Sequence, residues 1–335
     1  MTLPLSILDL APVPDGTTSP QALQNIVSLA QLGDELGYTR VWYAEHHGMP
    51  SIASSSPEVL IATAAANTKR IHVGSGGVML PNHVPLRVVE TYRTLNGLHP
   101  GRIDLGIGRA GGSDGRTLSA LRSTDGNYFS HELAELLAFE EGTFPADHPF
   151  APINVVPEKV ELPPIFLLGS SGASAAAAGE LGVGYSFAAH FSATPPAPAF
   201  AAYRAAFRPS ARFDKPHAIL AVSALVAPTE EEAKFLSSSQ AVSWALFHSG
   251  ELRRLVAPEQ ASRWPLTPAQ QAIVDKQGKL WIVGDPQQVR ATIEAQAEAA
   301  GADEVMVTTT VWSHEHRLRS YRLLAEAFGL TPRAS

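Results

Sequence analysis

Eight short apolar runs, each bounded by glycine, proline or aspartate, constrain this 335-residue chain more than any other feature. They cover residues 5–8, 40–43, 71–74, 103–107, 165–168, 185–188, 219–226 and 304–308. Continuous apolarity over so few residues, without alternation, is what a strand buried on both faces requires, and parallel strands are buried that way. Between the runs, apolar side chains recur at helical spacing. In residues 21–36, Leu23, Ile26, Val27, Ala30 and Leu36 fall on one stripe, with Ser19-Pro20 as a start signal and Gly37 as a stop. Residues 57–68, 86–98, 173–181, 286–300 and 317–328 read the same way. Strands alternating with helices predict an α/β chain folded as one (β/α)₈ TIM barrel over residues 1–335. A doubly wound open sheet is the alternative.

Two stretches break the rhythm. Residues 144–164 carry six prolines, too many for a helix or a central strand, and predict a long loop leading into strand five. Residues 229–284 exceed what one crossover helix needs and predict an insertion between strands seven and eight, built of two or three helical pieces. Within it, residues 251–279 are the candidate lid, with Gly250 and Gly278 as flanking hinges and Trp264 and Leu266 as apolar seals. Hydrophobic residues at 45% supply a large core, and charged residues at 17% are too few for disorder. A net charge of -7 argues against nucleic acid as a partner. The absence of cysteine excludes disulfides, thiolate metal sites and cysteine nucleophiles. Neither a basic leader nor an apolar run of about 18 residues is visible, so a cytoplasmic protein without membrane contact is expected.

In a barrel of this kind, reactive side chains gather at the C-terminal ends of strands. Strand two is followed by Trp42-Tyr43-Ala44-Glu45-His46-His47. Neighbouring residues on extended chain point to opposite sides, so His46 and His47 read as one catalytic and one structural histidine, and no metal site is expected. Strand three leads into Gly74, Gly76 and Gly77, which either seat a flat ligand against bare backbone or make a tight bend at the rim. Strand four ends in Gly106-Ile107-Gly108-Arg109, where a glycine-flanked arginine suits a phosphate or carboxylate, or an ordinary salt bridge. Strand five runs through Leu168-Gly169-Ser170-Ser171-Gly172-Ala173-Ser174 into an alanine-rich helix, and free N–H groups beside hydroxyls make an anion site. Together the four strand ends describe a flat, phosphorylated ligand.

With these motifs the chain resembles the bacterial luciferase-like flavin monooxygenases over nearly its whole length. The resemblance is carried by Ala44-Glu45-His46-His47, by residues 73–81, by the lead-in His99-Pro100-Gly101-Arg102 to strand four, and by residues 168–174. It implies a (β/α)₈ barrel, commonly a homodimer, that binds reduced FMN, or the deazaflavin F420 in one branch, and uses O₂ to oxidise a small organic substrate. Carried over by position, His46 matches the active-site histidine near the flavin edge. Gly76 and Gly77 match a bulge under the ring system, often joined by a non-prolyl cis peptide. Arg109 matches the phosphate arginine, and Ser170, Ser171 and Ser174 match the phosphate turn. Asp9, Trp42, Met79, His83, His190 and Phe191 are the candidate substrate-pocket residues. Gly108 stands where luciferase has a reactive cysteine, and Ser170 where it has a glutamate. The strand-two cysteine of sulfonate-oxidising members has no counterpart. No dinucleotide fingerprint is present, so reduced flavin is expected from a separate reductase. An F420-dependent dehydrogenase is the nearest alternative, followed by a non-catalytic flavin-binding protein and a metal-dependent hydrolase.

Overall fold

The computed structural model describes residues 3–124 and 126–332. Its frame is eight parallel strands: β1 (Leu5–Asp9), β2 (Arg40–Tyr43), β3 (His72–Ser75), β4 (Ile103–Gly108), β5 (Ile165–Gly169), β6 (Gly184–Ala188), β7 (Ala218–Val226) and β8 (Glu304–Thr308). Each pairs with the next in order, and β8 pairs with both β7 (Val305 opposite Leu220) and β1 (Val305 opposite Leu5). That double pairing closes the sheet, so the barrel is realised and the open sheet is not. Strands β1, β2, β4, β7 and β8 are buried at every residue, the physical reason their sequences do not alternate.

The connecting helices start and stop where local chemistry dictates. The helix Ser19–Leu36 opens with the Thr18 hydroxyl accepting from the Gln21 N–H at 3.3 Å and closes at Gly37, whose φ of 89° suits glycine. Helices Phe129–Glu141 and Pro196–Ala206 carry no mark in the sequence reading above. The second opens on Pro196-Ala197-Pro198, which looks like loop, yet proline is tolerated in a first turn whose N–H groups have no helical partner. Residues 144–164 form the long irregular connection into β5. The insertion contains three helical pieces, Glu230–His248, Pro258–Ala261 and Pro268–Gln277. It ends in an unforeseen strand, Trp281–Gly284, paired in parallel with the far half of β7 from Ser223 to Val226. Four residues are too few for periodicity to distinguish strand from loop.

Inside the barrel, Leu8, Trp42, Phe166, Ile219 and Met306 form an apolar plug. Beneath it, charged groups from the N-terminal ends of the strands close the floor. Arg40 Nη1 lies 2.7 Å from Asp104 Oδ2, and Arg40 Nε lies 2.8 Å from Glu304 Oε1. Trp42 Nε1 donates to Asp104 at 3.0 Å, and Ser6 and His217 also bond Glu304. With the floor sealed, the C-terminal mouth is the face left for a site.

Candidate active site

A cavity of about 250 Å³ opens at that mouth. Leu8, Asp9 and Leu10 at the end of β1 line it, with His46 beyond β2, His190 and Phe191 beyond β6, and Thr308 to Thr310 at the end of β8. Trp244 and Phe247 of the helix Glu230–His248 complete the lining, with Leu252 and Leu255 from the following segment. Of the candidate pocket residues, the structure therefore brings together Asp9, His46, His190 and Phe191. Trp42 is elsewhere: it is wholly buried in the barrel plug, its indole directed to Asp104 on the floor. Met79 and His83 are also off the cavity lining, in a cluster built around Glu45.

Glu45 is fully buried, and its carboxylate accepts from the Met79 N–H (2.8 Å), Asn82 Nδ2 (2.9 Å), His83 Nε2 (2.9 Å) and His47 Nε2 (3.0 Å). Burial pushes the Glu45 carboxyl up, but the bond and charge of His83, with the bonds from Asn82 and His47, outweigh it and hold the group below its usual range. Burial likewise pulls His83 down, and Glu45 outweighs it, leaving His83 raised. The cluster clamps the loop after β3 to the end of β2. A carboxylate followed by a loop carrying Asn82 and His83 was the available signal for it.

The two histidines of the motif separate. His47 serves the Glu45 clamp, and His46 faces the cavity. His46 Nδ1 is 3.2 Å from the Gly112 carbonyl, which can only accept, so Nδ1 carries the proton and Nε2 of the neutral ring is an acceptor. Burial lowers the His46 pKa, and the Gly112 bond only partly offsets this. His190 is pushed down to about 4 by burial. Both rings are therefore neutral at pH 7. His190 Nδ1 is buried with no hydrogen-bond partner among the described residues.

Sequence reading missed Arg317. Its Nη2 lies 2.6 Å from Asp9 Oδ2, both side chains are buried, and both line the cavity. The signal was there: Arg317 shares the buried stripe of the helix His314–Phe328 with Ser320, Tyr321 and Leu324, and a cation on such a stripe must have a partner.

The glycines beyond β3 occupy a bulge. Gly74 pairs with Asp104 and Val78 with Ile107, so four steps on one strand face three on the other. The Gly76–Gly77 peptide is cis. The Ser75 hydroxyl replaces the broken ladder, donating to the Gly106 carbonyl at 2.9 Å and accepting from its N–H at 3.0 Å. What forbids a side chain here is the barrel itself. A Cβ on Gly76 would lie 2.7 Å from Leu8 Cδ1, and one on Gly77 would lie 2.8 Å from the Gly106 carbonyl oxygen. Gly77→Ala is thus expected to destabilise the protein by about 1–3 kcal/mol, because backbone cannot yield as a side-chain tip can. An unchanged urea midpoint would show that the bulge has room.

Arg109 and Ser170 leave neighbouring strands, since Ile107 pairs with Leu167. Arg109 is exposed, and its guanidinium makes no ion pair with any described residue. The helix Gly172–Glu180 begins at Ser171 with no side-chain cap. The Ser174 hydroxyl donates to the Ser171 carbonyl at 3.2 Å, as does the Tyr185 hydroxyl at 3.1 Å. The first N–H groups of this helix thus lack a side-chain acceptor.

The candidate lid is only partly what its sequence suggested. Leu252 and Leu255 line the cavity, but Trp264 packs against Val242, Leu246, Val256 and Ala261 in a small core of its own, and Leu266 is off the lining. Trp244 and Phe247 line the cavity instead, because the preceding helix Glu230–His248 is part of the cavity wall. Among the described residues, no group of three or more His, Asp or Glu could hold a metal ion, and no helix is long and apolar enough to cross a membrane.

The family model described as luciferase-like monooxygenase matches residues 3–304. The chain belongs to the luciferase-like monooxygenase family. A luciferase-like monooxygenase of Escherichia coli strain K12 is 41% identical over 325 residues, covering 96% of each chain. The crystal structure of apo-MsnO8 superposes with a TM-score of 0.88 at 38% identity, covering 99% of this chain and 100% of that one. At the level of fold, the FMN-bound oxygenating constituent of the 3,6-diketocamphane monooxygenase of Pseudomonas putida, a type II Baeyer–Villiger enzyme, matches with a TM-score of 0.71 at 18% identity, over 99% and 100% of the two chains. Membership places this luciferase-like chain among oxidoreductases.

Proposed function

We propose that this protein is an FMN-dependent monooxygenase that uses reduced flavin, delivered by a separate reductase, and O₂ to oxidise a small organic substrate. The observation that carries the reading is the uncapped start of the helix Gly172–Glu180 together with Arg109, which makes no ion pair with any described residue, on adjacent strand ends at the mouth of the barrel. Free N–H groups at a helix N-terminus and a guanidinium together suit a phosphate. Arg109, Ser170, Ser171 and Ser174 would hold the flavin phosphate, and the Gly76–Gly77 bulge would lie by the ring system. Reduced FMN supplies the electrons that activate O₂. His46 holds its proton at Nδ1 against Gly112 and accepts one at Nε2 on the cavity side. Trp244, Phe247, Leu252 and Leu255 exclude water from the cavity, which protects a reactive oxygen species from waste. A cytoplasmic homodimer is part of this reading on family resemblance.

The test is Arg109→Ala. A charge-assisted bond contributes roughly 1.5–3 kcal/mol, so FMN affinity should fall about ten- to a hundredfold in a fluorescence titration. Unchanged affinity would remove Arg109 from the site. Oxygen uptake with reduced FMN and a panel of neutral and anionic substrates completes the test. Turnover with F420 and no oxygen uptake would replace the reading by a dehydrogenase, and FMN binding with neither would make the protein a flavin binder.

A further inference from the structure

Every charge that lines the cavity is cancelled within the cavity wall. Arg317, its one buried cation, is matched by Asp9 at 2.6 Å. At the exposed rim, Arg253 Nε lies 3.5 Å from Glu251 Oε2. The two histidines add nothing at pH 7, since burial holds both neutral. Of the remaining polar groups, Gln240 Nε2 donates to the Ser223 hydroxyl at 3.0 Å, and the Thr309 hydroxyl donates to the Ala224 carbonyl at 2.8 Å. His190 Nδ1 is buried without a hydrogen-bond partner among the described residues, and His46 keeps Nε2 as an acceptor on the cavity side.

We infer that this cavity takes an uncharged, predominantly apolar substrate, and that Asp9 determines this specificity by cancelling Arg317. The inference rests on the monooxygenase reading for what happens to the substrate, but not for what binds. An anionic ligand would have to shed its water with no free cation to receive it, and a cationic ligand would find Asp9 already engaged. A neutral ligand meets leucine, tryptophan and phenylalanine side chains, and a polar group on it has His190 and His46 to bond.

Matched six-carbon probes separate the charge states: hexanamide, hexanoate and hexylammonium, titrated calorimetrically into the protein with FMN present. In the unaltered protein, hexanamide should bind at least about tenfold more tightly than either ion, since a buried charge without a partner is strongly disfavoured. Asp9→Asn leaves Arg317 uncancelled, and hexanoate should then gain at least about tenfold relative to hexanamide. Hexanoate binding the unaltered protein as well as hexanamide would overturn the inference, as would an unchanged preference in Asp9→Asn. If Asp9→Asn does not fold, the double variant Asp9→Asn, Arg317→Gln should keep the preference for hexanamide, and loss of that preference would count against the proposal. FMN affinity, measured on the same samples, keeps the two readings apart. Selective hexanamide binding without FMN binding would sink the flavin reading alone, and FMN binding with hexanoate preferred would sink this one alone.

Discussion

Arg40→Met is expected to lower the stability of the protein by about 3–5 kcal/mol, the cost of leaving buried charge without its partner. Arg40 is the cation between Asp104 and Glu304 on the barrel floor, and all three side chains are buried. Burial pushes both carboxyls up, but Arg40, with His72 and Trp42 at Asp104 and with His217 at Glu304, outweighs it, and both lie below the usual carboxylate range. The pH dependence follows in sign. A carboxyl whose pKa is depressed by folding stabilises the native state above its unfolded value near ~4, and that contribution is lost as pH falls through the lower folded value. The unaltered protein should therefore weaken from about pH 5 downwards, as both carboxylates are driven to protonate. In Arg40→Met, the bonds from Trp42, Ser6 and His217 remain but the cation is gone, so burial weighs more on the two groups and acid should weaken the variant less than the parent. Urea denaturation of both proteins across this window reads the two effects, and parallel pH profiles would mean that the floor cluster contributes no linkage.

His46→Ala should leave FMN affinity near its original value and reduce coupled substrate oxidation by about 10²-fold or more, within the range attributed to a positioned acid–base group, with hydrogen peroxide released instead. The imidazole touches the cavity while its Nδ1 is spent on the Gly112 carbonyl, so truncation removes the Nε2 acceptor without disturbing the Arg109 and serine turn. Its depressed pKa means the neutral form is retained below the ordinary value of about 6.5, and the rate should hold on the acid side further than an unperturbed histidine would allow. Product yield per oxygen consumed, measured beside FMN binding, checks the first claim. Equal loss of binding and turnover would make His46 structural.

How the chain divides its information is visible residue by residue. Strand and helix identity are local properties: a run such as Val41 to Tyr43 has no polar face to present to water, and a stripe such as Ile26, Leu29 and Ala30 fits only a helix against a sheet. Eight such runs alternating with helices predicted a barrel, with an open sheet as the alternative, and the chemistry at the strand ends pointed to its mouth. The helix start at Ser170 to Ser174, proposed above to hold the phosphate, was legible for the same reason, because it is a contiguous stretch ahead of a helix.

What depended on closure was not legible. Whether a residue at a strand end reaches the mouth depends on its height in the barrel, so Trp42, three residues before Glu45, is plug and floor and not pocket. Asp9 meets Arg317 across 308 positions, and Arg40 meets Glu304 across 264, only because β8 returns to β1 and closes the sheet. The glycines at Gly76 and Gly77 were legible as necessary but not for their cause, which is the approach of Leu8 and Gly106 from neighbouring strands. The sequence by itself determined the eight barrel strands, their order, most of the helices between them and the class of face that would carry a site. Register and closure decided which side chains share a cavity and which charges cancel, because those contacts join segments that no local pattern connects.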